Sequence, residues 1–231
     1  MIERGLRACL AVAAAGMACV FLPAHAHGDE ISAAQVLANC QRMLPTRPVE
    51  LRGAIVLRNR KGIVRSEYGY RLVLDRSKTP AEVDLTICER GGTNVLKHVT
   101  LKRPGAIPEG NVMDTDVTWL DLSLDYLWWR NPRYEAEREG ESVHGQKCSV
   151  ILVDPPDAAS GIKAVRLWAD KKNGCLMQAE TLDENGRSVR RLWGTRVKKF
   201  GERWMANVLE TETLGSGRRT KITVEALKEL P

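Results

Sequence analysis

The sequence predicts a mainly β protein (α+β): about eleven antiparallel strands forming an unclosed barrel or half-barrel, with an N-terminal helix and a short helix inserted midway. Three observations predict it. Apolar and polar residues alternate with a period of two through most of residues 49–227. Turn signals such as Gly91-Gly92, Asn173-Gly174 and Asn185-Gly186 punctuate the alternation at hairpin spacing. Helical spacing is confined to two short stretches. A meander of about eleven strands does not stay flat and open; it twists and curls, and its concave face has to be filled.

The elements follow in order. In Ser32 to Leu44, residues Ala33, Val36, Leu37 and Cys40 share one helical face, with Ser32 as N-cap and Pro45 as stop. From Val49 the period changes to two: Leu51, Gly53, Ile55 and Leu57 oppose Glu50, Arg52 and Arg58. Segments 64–75, 81–89 and 93–103 continue the pattern, with Val83, Leu85 and Ile87 on one face of the third strand. Proline and glycine interrupt it at residues 103–117. Strands are predicted again at 133–139, 146–154, 162–170, 175–183, 187–200, 203–214 and 218–227.

Residues 118–129, TWLDLSLDYLWW, lie between the two runs and hold three of the six tryptophans. Ser123 reads as an N-cap, Leu124 to Trp129 as the helix, and Asn131-Pro132 as its end. Leu120, Leu124, Leu127 and Trp128 would share one side, and Leu122, Tyr126 and Trp129 another. A helix apolar nearly all round needs neighbours on two sides. The concave sheet is one; the N-terminal helix, a ligand or a partner is the other.

The first residues read as an export signal. Basic MIERGLR precedes an apolar run of about fifteen residues, too short to span a bilayer, and a small-x-small exit at Ala24-His25-Ala26 places cleavage near Ala26. Residues 27–231 then form a single domain. Residues 1–26 carry Glu3, Arg4 and Arg7, so the remainder keeps +5 of the formal net charge of +6. In an exported protein that charge points to lipid head groups and acidic glycans rather than nucleic acid, and no transmembrane segment is expected in the mature chain. Its four cysteines allow three disulfide connectivities. Cys148 with Cys175 would close a loop within the meander, and Cys40 with Cys88 would tie the helix to the sheet.

The basic run from Arg187 to Arg203 places Arg190, Arg196 and Lys198 on one strand face, a surface for anionic head groups or a solvated face whose lysines discourage edge pairing. Glu137, Glu139 and Glu141 alternate on one strand as a solvent face. His98 and His144 lack metal-ligand spacing, and no nucleophile, phosphate-loop or catalytic carboxylate pattern is present. No cofactor is expected.

Several motifs then occur in a familiar order: Asp121-Leu122-Ser123 with Tyr126-Leu127, Gly145-x-x-Cys148-x-Val150, Val165 to Asp170, Asp183-Glu184-Asn185-Gly186-Arg187, and Gly201 to Trp204. In that order and spacing the chain resembles the LolA-like outer-membrane lipoprotein-sorting family, in its divergent, uncharacterised branch. The resemblance spans most of the mature chain and is better from residue 114 onward. It implies a half-barrel with helices as a lid, periplasmic location, no enzymatic activity, and a cavity that shelters acyl chains of lipids or lipoproteins passed to an inner- or outer-membrane acceptor protein. Trp119, Leu122, Leu124, Tyr126, Leu127, Trp128 and Trp129 become the expected cavity wall or lid. No motif places the family's lid-contacting arginine. The alternative is an envelope sensor or adaptor on the same scaffold that binds another envelope protein.

Overall fold

A computed structural model describes residues 31–79, 81–103, 107–156 and 161–231. The export signal and its cleavage point near Ala26 lie outside the described residues. Helix α1 (Ala33–Arg42) comes first, capped by the Ser32 hydroxyl, which accepts from the Gln35 amide at 3.2 Å. Strands β1 (Val49–Arg58), β2 (Val64–Asp75), β3 (Ala81–Glu89) and β4 (Val95–Arg103) form an antiparallel meander. An inserted segment holds α2 (Trp119–Ser123) and a 3-10 turn at Asp125–Trp128. Then follow β5 (Arg130–Tyr134), β6 (Ser142–Val143), β7 (Gln146–Asp154), β8 (Ala164–Asp170), β9 (Leu176–Leu182), β10 (Ser188–Phe200), β11 (Arg203–Thr213) and β12 (Arg219–Glu229).

The sheet order is β4-β3-β2-β1-β12-β11-β10-β9-β8-β7-β5, with the two-residue β6 paired to β7 off this path. The eleven-strand path matches the half-barrel expected from the sequence. Its edges, β4 and β5, do not pair with each other, so the barrel is unclosed. The first and last strands in chain order meet in its middle, over the full ladder from Val49↔Glu229 to Arg58↔Arg219. Alternate residues of every long strand turn to one face. On that face Ile55, Leu72, Leu85, Ile87 and Ile222 make one buried cluster, and Ile151, Val153, Val165 and Leu167 make a second, which α1 covers with Val36, Leu37 and Cys40. Among the described residues no helix is long and apolar enough to cross a membrane.

Four sequence expectations need correction. The segment 133–139 is not one strand: β5 ends at Tyr134, and Ala136–Arg138 is a 3-10 turn. Of the three glutamates expected on one solvent face, Glu137 is exposed, whereas Glu139 and Glu141 are engaged. Glu139 pairs with Lys171 at 2.5 Å, and Glu141 pairs with Arg138 at 3.0 Å and accepts from the Trp168 indole at 3.0 Å. Among the described residues the expected disulfides are not formed, and the thiols of Cys40, Cys88, Cys148 and Cys175 are free. Cys148 sits opposite Asp170 on β8, whose amide bonds the Cys175 carbonyl on the other side. Strands two apart are about 9.5 Å from each other, beyond the ~7 Å a disulfide spans. Cys40 lies in the concave cluster, where burial pushes its thiol up to about 12. Cys88 lies on the opposite face from Ile87, against Gly69. The remaining two corrections, to the inserted helix and to Arg190, concern the site below.

At the Arg52/Gly53 register shift, β1 and β12 approach so closely that a Cβ on Gly53 would collide with the Thr223 carbonyl. Gly53→Ala should therefore lower stability by about 1–3 kcal/mol, the usual cost of overpacking, and urea unfolding with an unchanged slope would register it.

Candidate functional site

The chain leaves the sheet at β4 and rejoins it at β5, the opposite edge. The connection crosses the concave face, and its apolar residues follow from that path. Val112, Val117 and Trp119 join the first cluster, with Leu122 packed against it. Leu120, Tyr126, Leu127 and Trp129 join the second, with Trp128 packed against it. Leu124 touches both. All seven expected wall or lid residues thus lie in one strap across the hollow, buried or half-buried.

The helix within the strap starts one turn earlier than its sequence suggests. Thr118, not Ser123, is the N-cap. Its hydroxyl accepts from the Asp121 amide at 3.1 Å while the Asp121 carboxylate accepts from the Thr118 amide at 2.8 Å, a reciprocal capping box. Leu124 then adopts a left-handed conformation (φ 54°) that ends α2 and begins the 3-10 turn. Met113 (φ 56°) and Asn131 (φ 53°) bend the chain at the two ends of the strap. Among the described residues, three of the four non-glycine positive-φ positions therefore lie in the strap or at its junction with β5. Such backbone is strained and persists only where surrounding contacts hold it.

Polar contacts hold the strap at several points. Asp116, fully buried, accepts from Thr213 at 3.1 Å and from Arg218 at 3.0 Å, and the Thr220 hydroxyl lies 3.0 Å from its amide. Asp114 accepts from the Tyr68 hydroxyl at 2.7 Å and from Ser66; these bonds hold its carboxyl below the usual range, with Ser66 the larger cause. Farther along, Gln41 of α1 donates to the Leu127 carbonyl at 2.6 Å.

Arg190 is the main departure from the sequence expectation. It points inward, donates to Asp121 at 2.7 Å and to the Asp116 carbonyl, and is 14% exposed. Arg196 and Lys198 stay exposed. Register shifts on either side of Arg196 break the simple alternation that put the three on one face. Arg190 thus contacts the inserted segment, a role that no motif had placed.

A groove of about 340 Å³ remains beside the strap, along the β4 edge, with Lys97, Val99, Pro108, Met113 and Trp119 among its walls. Sequence reasoning also missed Arg103, on the same inward row of β4 as Val99 and Leu101. Its side chain is 4% exposed and stacks on the Trp128 ring 4.1 Å from the centroid, with Asp125 at 3.3 Å. Burial lowers its pKa to about 10, so it stays charged at neutral pH.

Truncating Arg190 should loosen the strap. Arg190→Ala would remove the cation from a buried carboxylate that keeps only its capping bonds, at a cost of about 2–3 kcal/mol. Hydrogen exchange should then speed up in residues 112–129 more than in β7–β9.

A family model whose description reads only "-like: Uncharacterized protein" matches residues 99–229. No curated protein matches the sequence. The chain is similar in fold to a LolA superfamily protein from Nitrosomonas europaea, with TM-score 0.69 and 15% identity over 87% of this chain and 96% of that one. A DUF1329 family protein from Desulfovibrio piger gives TM-score 0.68 at 13% identity, covering 85% and 91% of the two chains. An outer membrane lipoprotein-sorting protein domain from Vibrio parahaemolyticus gives 0.62 at 17% identity, covering 85% and 93%. At such identities the likeness is one of fold. The chain therefore belongs to the family, described only as uncharacterized, whose model spans residues 99–229, and it shares the half-barrel fold of those LolA superfamily and lipoprotein-sorting structures.

Proposed function

We propose that this protein is a periplasmic carrier that shelters acyl chains of lipids or lipoproteins under the strap at residues 112–129, and that it does no covalent chemistry. The observation that carries the reading is the build of the strap: apolar against both halves of the concave face, bent at Met113, Leu124 and Asn131, and held by polar contacts such as Arg190 with Asp121. An acyl chain loses about 0.8 kcal/mol per methylene on exposure to water, so a shuttle needs a dry hollow. It also needs to reopen it. Displacing the strap exposes apolar surface on strap and sheet together, and an acyl chain can cover both. Polar latches at the strap's points of attachment can break and reform without leaving apolar surface behind. The 340 Å³ groove at the β4 edge is the opening from which such displacement would start.

A second reading, an envelope sensor or adaptor that binds another envelope protein, is favoured by the outer part of the β10–β11 hairpin. Among the described residues, 197–206 there pair only with each other, and Val197 and Trp204 are 66% and 65% exposed.

Native mass spectrometry of protein taken from the periplasm, followed by lipid extraction, separates the two. The carrier reading expects acyl lipid bound in stoichiometric amount, and Trp128→Ala/Trp129→Ala should reduce it more than it reduces folded yield. Protein that is empty, and stays empty when offered acyl lipids, would sink the carrier reading. A partner retained by lipid-free protein and lost in Trp204→Ser would favour the adaptor.

A further inference from the structure

The polar group best placed to meet a ligand under the strap is Arg103. Buried charges are ordinarily paired and fully hydrogen-bonded; this one has an ion-pair partner in Asp125 but is not fully hydrogen-bonded. Two guanidinium groups flank the Trp128 ring, Arg103 at 4.1 Å and Arg76 at 5.8 Å from its centroid. One carboxylate, Asp125, faces Arg103 at 3.3 Å from Nε, and the contact falls outside hydrogen-bond geometry. Among the described residues, Nε and Nη1 of Arg103 have no hydrogen-bond acceptor, and the buried Tyr126 hydroxyl nearby has no partner. The Trp129 indole N–H faces Asp125 without forming a well-aligned bond. Arg76 spends one donor on the Gln41 carbonyl at 3.1 Å. Among the described residues the cluster therefore holds two cations against one acid, with open donors on its most buried member.

Burial raises the Asp125 carboxyl above its usual range even though Arg103 pulls it down, so neither partner fully compensates the other. Arg103 also ends the inward row Lys97, Val99, Leu101, Arg103 of β4. Alternate strand residues are about 6.7 Å apart, so Val99 in the groove and Arg103 are separated by about 13 Å of apolar strand surface.

We propose that Arg103, stacked on Trp128, receives the anionic head of a single-chain amphiphile, a carboxylate or phosphate monoester, whose acyl chain runs along β4 to the groove beside Trp119. The inference rests on the carrier reading and specifies its ligand: head inward at the incompletely hydrogen-bonded guanidinium, tail toward the edge. Asp125 holds the place of that acid while the site is empty. Nε and Nη1 lie on different edges of the guanidinium, so either can give a single charge-assisted hydrogen bond to the oxyanion.

Titration of the purified protein, followed by tryptophan fluorescence and calorimetry, tests it with three probes of equal chain length: a fatty acid, an alkyl phosphate and a fatty alcohol. The acid or the phosphate should bind at least about tenfold tighter than the alcohol, as expected for a charge-assisted bond in a buried site. The tighter of the two names the head group. Arg103→Gln should abolish that preference and leave alcohol binding within about twofold, since only head recognition is lost. Asp125→Asn should strengthen binding of the anionic probes, an effect that a merely structural ion pair would not produce. Equal binding of all three probes would overturn the anion site and leave the carrier reading standing. Binding of none would overturn both. If Arg103→Gln does not fold, Asp125→Asn decides: weaker or unchanged binding of the anionic probes overturns the proposal.

Discussion

The structure depends on one topological constraint. The sheet runs from β4 at one edge to β5 at the other, and those two strands are consecutive in the long central connection of the chain. A link between opposite edges of a curved sheet has two routes, over the convex face or through the hollow. Here it goes through the hollow, and the residues it carries decide what the hollow contains. The unusual density of tryptophan and leucine at 118–129 is thus the expected composition of a segment that meets sheet on one side and α1 on the other.

That route also sets where polar residues fall. A strap with apolar residues on its broad faces can be fixed in position only at its bends and caps, where backbone groups are unsatisfied. Asp114, Asp116, Asp121 and Asp125 all sit at such points, and each meets a partner from a different part of the sheet: Tyr68 of β2, Thr213 of β11, Arg190 of β10 and Arg103 of β4. The acids give the strap a unique seat, while its leucines and tryptophans supply most of the burial.

Much of this was legible in sequence. The strands were, because a period of two and Asn-Gly or Gly-Gly turns are local signals; α1 was, because Ser32 and the Ala33-Val36-Leu37-Cys40 face are local too. The inserted helix was misplaced by a turn, because Ser123 resembles a cap as closely as Thr118 does, and only the reciprocal bond with Asp121 distinguishes them. The inward turn of Arg190 was hidden by the register shifts around Arg196, which change side-chain parity without changing composition. Disulfide partners depended on register and on which face each cysteine occupies, and neither is written in spacing. Arg103 could have been flagged by its place in the row Val99, Leu101, Arg103, but an arginine at the end of an alternating strand ordinarily reads as solvent-facing.

The pairing of β1 with β12 has a consequence for how the molecule assembles. Ten residue pairs join the first strand to the last, across about 170 residues of intervening chain. When the polypeptide emerges from its N-terminal end, β1 to β4 can form a four-stranded meander, but β1 keeps one bare edge until the eleven residues of β12 arrive. The two meanders remain separate, and the hollow has no floor at its centre. The contacts that bury Ile55 against Ile222 are the last to become available. Synthesis therefore runs well ahead of folding, and the domain is completed at one late, long-range step.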